Sequence, residues 1–121
     1  MKVLLDTNFV LTCLKQKIDF VDEIQDKGLK IILPDQVVNE LKMLEHRDRT
    51  KADYFSALSL KLINESDFKR VDLKDKKTDR GIIKFARKNP EVVIATLDKG
   101  IQEKIKNRKL IIRGKKKLEI I

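Results

Sequence analysis

Apolar residues fall along this chain in short runs, separated by longer stretches with helical spacing. Residues 3–5, 31–33, 92–96 and 110–112 read as strands, short and almost wholly apolar, and residues 68–71 are a further candidate with two charged positions. Helical patterns cover residues 9–17, 19–27, 35–46, 51–65, 79–88 and 99–107. Gly28 stops the helix ending "VDEIQDK", Pro34 and Asp35 open "DQVVNELKMLEH", and Pro90 ends the helix closing on "RKN". Strands that are apolar on both faces and alternate with helices predict a parallel sheet covered on each side. The expected class is α/β with a single sheet. No repeat, low-complexity linker or second domain interrupts the pattern, so residues 1–121 are expected to form one domain.

The pattern breaks most sharply in "KVLLDTNFVL", where Asp6, Thr7 and Asn8 separate two apolar runs. In parallel α/β sheets, ligands bind where the strands end and the chain leaves the sheet. Asp6 follows "VLL" directly and Asp98 follows "VVIATL", which places both on one rim. Either acid can instead cap the helix that follows it. Glu40 lies three residues after Val37 and four before Leu44, on the margin of its helix's apolar face. Asp79 stands three residues before Ile82, four before Ile83 and seven before Ala86, and is expected to point along the buried stripe of its helix. The helix dipole alone accounts for an acid in that first turn. An inward carboxylate also needs a partner, and no lysine or arginine stands in an obvious place to supply one.

Four carboxylates on one rim repel one another unless a cation sits among them. Hard divalent ions such as Mg²⁺ or Mn²⁺ suit oxygen donors. Beside a phosphate substrate, such ions activate water and stabilise the leaving oxygen. Neither a P-loop nor a dinucleotide glycine loop is present, which removes the main signature of nucleotide binding. Cys13 is the single cysteine, so an intrachain disulfide is excluded, and with His46 it is too little for a zinc site. No apolar run approaches a membrane span, and the chain opens on strand-like sequence rather than a signal peptide, so a cytoplasmic protein is expected. Abundant Lys and Glu with few aromatics suit a thermophile.

The net charge of +9 is uneven. Residues 1–103 carry 20 basic and 18 acidic side chains, whereas residues 104–121 carry 8 and 1. The tail "KIKNRKLIIRGKKKLEII" is a basic surface joined to an apolar strand. It is either a solvated end or an attraction for phosphates, through Arg113, Lys115, Lys116 and Lys117. Charge alone does not choose between them.

Taken together, "LLDTN" with Asp6, "VVNEL" with Glu40, "TDRGI" with Asp79 and "IATLDKGI" with Thr96 and Asp98 resemble the PIN-domain nucleases over nearly the whole chain. The resemblance implies a Rossmann-like three-layer α/β/α sandwich with a five-stranded parallel sheet. It implies a Mg²⁺- or Mn²⁺-dependent endoribonuclease site made of Asp6, Glu40, Asp79 and Asp98, supported by Thr7, Asn8 and Thr96. Activated water would attack an RNA phosphodiester and leave a 3′-hydroxyl and a 5′-phosphate, with no side chain as nucleophile. Many members carry a second acid beside the third, as "DD"; here that position is Arg80, which either weakens metal binding or contacts the scissile phosphate.

The closing segment looks more like the ribosome-processing and archaeal branch of the family than the toxin branch. The implied role is ribosomal RNA processing or RNA turnover. RNA is the implied substrate, ribosome-assembly factors or an antitoxin are the implied protein partners, and a homodimer is allowed. Three rival readings remain open. One is an inactive PIN-fold scaffold that binds RNA, which Arg80 keeps alive. Another is the toxin of a toxin–antitoxin pair. The last is a receiver-type phosphoacceptor domain, which would need an acid pair beside Asp6 that this chain lacks.

Overall fold

The computed structural model describes residues 1–45, 51–66, 68–114 and 116–121, so His46 and Lys115 lie outside the described residues. Among these, the order is β1 (Lys2–Leu5), α1 (Thr7–Lys15), α2 (Phe20–Asp26), β2 (Lys30–Pro34), α3 (Asp35–Glu45), α4 (Lys51–Glu65), β3 (Lys69–Val71), α5 (Thr78–Lys88), β4 (Val93–Ala95), α6 (Lys99–Glu103), β5 (Lys109–Arg113) and β6 (Lys117–Ile120). The strands form one sheet in the order β3-β2-β1-β4-β5-β6. The pairings of β3 with β2, β2 with β1, β1 with β4 and β4 with β5 are all parallel.

The expected five parallel strands are therefore present, and a sixth corrects the expected count. β6 pairs antiparallel with β5, Leu110 opposite Ile120 and Arg113 opposite Lys117. Gly114, at φ 63°, makes the turn between them, a conformation that glycine adopts without a Cβ penalty. β6 reads Lys-Leu-Glu-Ile and buries only Leu118 fully, so it lacks the continuous apolar run of a strand covered on both faces. α6 is also shorter than the expected 99–107, ending at Glu103. Beyond it the buried Asn107 donates from Nδ2 to the carbonyls of Asn89 and Val92, which ties the loop to the entry of β4.

The apolar run of β1 explains the layering. Val3 and Leu5 face a core that includes Phe9 and Cys13 of α1, Ile24 of α2, Leu41 of α3 and Ile63 of α4. Leu4 faces the other side, against Ile82 and Ala86 of α5 and Ile101 of α6. Every side chain of 3–5 is thus buried, each contributing about 1.5–3 kcal/mol relative to an exposed position. Because the first five strands run parallel, their carboxyl ends share one rim. Asp6, Asp98, residues 72–77 after β3 and the β5–β6 turn all emerge there. Among the described residues no helix is long and apolar enough to cross a membrane.

Candidate active site

The site begins with the register of β1 on β4. Leu5 pairs with Ala95, so the residues that follow, Asp6 and Thr96, leave the sheet side by side. Thr96 Oγ1 donates to Asp6 Oδ2 at 2.8 Å. The other carboxylate oxygen, Oδ1, accepts the Thr7 N–H at 2.8 Å and so caps α1. Thr7 Oγ1 reaches across to α3 and donates to Glu40 Oε2 at 2.7 Å. On the other side, Thr96 Oγ1 accepts the Asp98 N–H at 3.1 Å, and Asp98 Oδ1 caps α6 by accepting the Ile101 N–H at 3.2 Å. One chain of hydrogen bonds therefore runs from Glu40 through Thr7, Asp6 and Thr96 to Asp98. Both acids do cap helices, and Asp98 enters the chain through its backbone N–H, close enough for its charge to act on the Asp6 carboxyl.

Burial decreases outward along that chain. Thr96 is fully buried and Asp6 is 8% exposed, while Glu40 is half-buried and Asp98 exposed. Burial is the chief cause that pushes the Asp6 carboxyl above its usual range. The hydrogen bonds from Thr96 and Thr7 oppose that shift, and the charges of Glu40 and Asp98 add to it. Among the described residues no lysine or arginine pairs with Asp6, Glu40 or Asp98. A buried, unpaired carboxylate is costly, so this corner of the fold is built against its own stability.

Asp79 does not occupy the place that its spacing suggests. α5 buries Gly81, Ile82 and Ala86, whereas Asp79 is exposed on the first turn. An acid in the first turn is favoured by the helix dipole without being buried. The buried acid of this region is Asp75, whose side chain is 2% exposed. Arg80 grips it with both Nε (2.7 Å to Oδ2) and Nη2 (2.9 Å to Oδ1), and Lys84 Nζ lies 3.0 Å from Oδ2. These bonds, led by Arg80 and joined by the Lys77 N–H, hold the Asp75 carboxyl well below the usual range. Arg80 is thus committed to Asp75.

Asn8 is exposed, and its side chain makes no hydrogen bond among the described residues. Arg113 pairs with Glu119 across the β5–β6 hairpin. Lys116 and Lys117 are exposed at that turn, on the same rim as Asp98. Among the described residues, no three Asp, Glu, His or Cys side chains are drawn into a ready-made metal cage. The donors that do meet are carboxylate and hydroxyl oxygens. A cavity of about 440 Å³ at the opposite ends of the strands, lined by Lys2, Lys30 and Lys69 with Phe68, contains none of these acids.

Residues 3–115 match the family described as PIN like domain. The chain belongs to the PIN-like domain family. The matched span closes before β6, so the sixth strand lies beyond it. Ribonuclease VapC4 of Methanocaldococcus jannaschii is 32% identical over 126 residues, covering 98% of this chain and 95% of that protein. The solved structure of the PIN domain endonuclease Utp24 superposes with a TM-score of 0.79 at 23% identity, covering 98% of this chain and 90% of that one. That likeness shows the PIN fold of this chain.

Proposed function

We propose that this PIN-like protein is a Mg²⁺- or Mn²⁺-dependent endoribonuclease, acting in ribosomal RNA processing or RNA turnover in the cytoplasm. The observation that carries the reading is the hydrogen-bonded chain joining Glu40, Asp6 and Asp98 around a buried carboxylate without a basic partner. The names of the relatives, a ribonuclease and an endonuclease, support the same class of activity. An all-oxygen donor set suits a hard divalent ion that keeps part of its water shell. Asp6, Glu40 and Asp98 would hold the ion, with Asp79 approaching from the first turn of α5. When bound, such an ion stabilises developing phosphate charge and makes a water more acidic.

The chain's own residues do the positioning. Thr96 and Thr7 each fix one oxygen of Asp6, and Thr7 also orients Glu40. Asp75 keeps the Arg80 guanidinium occupied beside Asp79, where a free cation would compete with a metal. The basic β5–β6 turn would draw the RNA backbone to the rim. A protein partner, either an antitoxin or a ribosome-assembly factor, belongs to this reading. An RNA-binding scaffold without cleavage is the second reading, and the arginine in place of a second acid is what favours it. The test is incubation of the pure protein with RNA in Mn²⁺ and in EDTA, with end-labelling of the products. Fragments bearing 5′-phosphates in Mn²⁺ alone are expected; intact RNA in both would leave the scaffold.

A further inference from the structure

On the β3 side of Glu40, α3 and the segment 72–78 enclose an open groove of about 470 Å³. Gln36, Asn39, Glu40 and Met43 form the α3 wall, recurring at helical spacing and so sharing one face. Lys74, Lys76 and Thr78 form the other wall. The groove is held in shape from beneath. Gln36 donates to Asp72 Oδ1 at 2.8 Å and accepts the Leu73 N–H at 3.1 Å, while Arg70 bridges to Asp35 at 2.9 Å. Asp72 Oδ1 also accepts the Lys74 N–H at 2.8 Å, which steadies Lys74 at φ 55°, a left-handed conformation uncommon outside glycine. Behind the segment, Gly81 permits its close approach to α5, since a Cβ there would lie 2.9 Å from Leu73 Cβ.

The charges in the groove are unevenly satisfied. Asp72 is hydrogen-bonded by Gln36 and the Lys74 N–H, and Asp75 is paired with Arg80 and Lys84. Lys74 and Lys76 are exposed and form no ion pair among the described residues. Met43, 65% exposed, is the one apolar lining side chain among the described residues, too little for an amphipathic helix that needs an apolar trough. The volume falls within the roughly 300–1,000 Å³ of small-ligand sites.

We propose that this groove is a ribonucleotide subsite, holding one nucleotide of single-stranded RNA beside the bond cut at the acids. The inference rests on the nuclease reading and adds where the strand lies. Glu40 belongs to both the groove and the hydrogen-bonded acid chain, so the two are continuous. Lys74 and Lys76 take the flanking phosphates, the exposed Asn39 amide reads a base edge, and the Met43 thioether lies against the base's face. Unstacked RNA bases are recognised in this way, by hydrogen bonds to their edges and contact with their faces, while phosphate contacts set position.

The test combines Lys74→Gln with Lys76→Gln and measures binding of a fluorescent, mixed-sequence single-stranded RNA in EDTA across a salt series. The slope of log affinity against log salt is expected to flatten by about 1.4, from roughly 0.7 per lost contact on single strands. Lys88→Gln, at the far end of α5, should leave the slope unchanged. In Mn²⁺ the double variant should show a raised KM at unchanged kcat. Asn39→Ala and Met43→Ala should relax base preference at one position beside the cut, by roughly five-fold or more. Cleavage by the double variant with an unaltered salt slope would overturn the subsite, keep the nuclease and leave the groove to a protein partner. A flattened slope in a protein that cuts no RNA would overturn the nuclease reading and leave the groove as an RNA-binding site only.

Discussion

Replacing Thr96 with Val tests the hydrogen-bonded rim with almost no change of shape. Thr96 is fully buried, and Val fills nearly the same volume, so no cavity cost enters. The substitution removes the donor to Asp6 Oδ2 and the acceptor for the Asp98 N–H. The Asp98 N–H loses its acceptor in a part-buried bond, which can only add to the cost. Asp6 is buried, and a hydrogen bond to a charged group is worth about 1.5–3 kcal/mol. That loss corresponds to a fall in Tm of roughly 5–12 °C for a domain of this size.

The penalty should depend on pH, with a definite sign. The folded-state pKa of Asp6 is raised, so the folded protein holds this proton more tightly than the unfolded chain does. The contribution of Asp6 to stability therefore falls as pH rises from its unfolded pKa through the folded one. The Thr96 bond opposes the raised pKa, so Thr96→Val raises it further and steepens the fall. Urea unfolding of both proteins, in acid and at neutral pH, is the assay. A penalty that is larger at neutral pH is expected. An equal penalty at both, or a variant more stable than wild type at neutral pH, would show that Thr96 does not stabilise a charged Asp6.

Other outcomes follow from the same geometry. Gly81→Ala should destabilise, because its Cβ would meet Leu73 and Asp75 Cβ atoms at 2.9 and 3.3 Å; overpacking of about 1–3 kcal/mol outweighs up to ~1 kcal/mol of helix propensity, and an unchanged or higher Tm by circular dichroism would contradict this. Mg²⁺ or Mn²⁺ should raise the Tm, by an amount equivalent to about 2.7 kcal/mol at a hundred times Kd. That gain should shrink in acid, as the proton on Asp6 competes, and in Asp6→Asn; a flat calorimetric response would leave the acids as helix caps alone. Lys116→Gln with Lys117→Gln should flatten the salt slope of RNA binding by roughly 1.4, and an unchanged slope would make the hairpin turn a solvated surface.

β1 and β4 were legible because both of their faces are buried, which writes them into the sequence as unbroken apolar runs. Asp6 and Asp98 followed from where those runs end. β6 was hidden because an edge strand buried on one side alternates in polarity. The burial expected of Asp79 is not seen, because Asp79 stands in the first turn of α5, ahead of the buried Gly81, Ile82 and Ala86. Asp75 carried no periodic signal at all: it is paired by Arg80 and Lys84 and packed against α5 at Gly81, contacts made only once the loop folds onto that helix. The groove beside Glu40 depends on Gln36 meeting Asp72 and Leu73, contacts between distant parts of the chain that no local pattern encodes.

In the proposed function the rim acids of this PIN-like fold cut RNA and the basic surface binds it. Wild type and Asp79→Asn, freed of contaminating nucleases, should be given the same labelled single-stranded RNA in Mn²⁺, with binding and cleavage measured in parallel. Wild type is expected to cut, and Asp79→Asn to fold and bind RNA as tightly or more tightly without cutting it. A wild type that cuts nothing, or an Asp79→Asn protein that cuts equally fast, would contradict it.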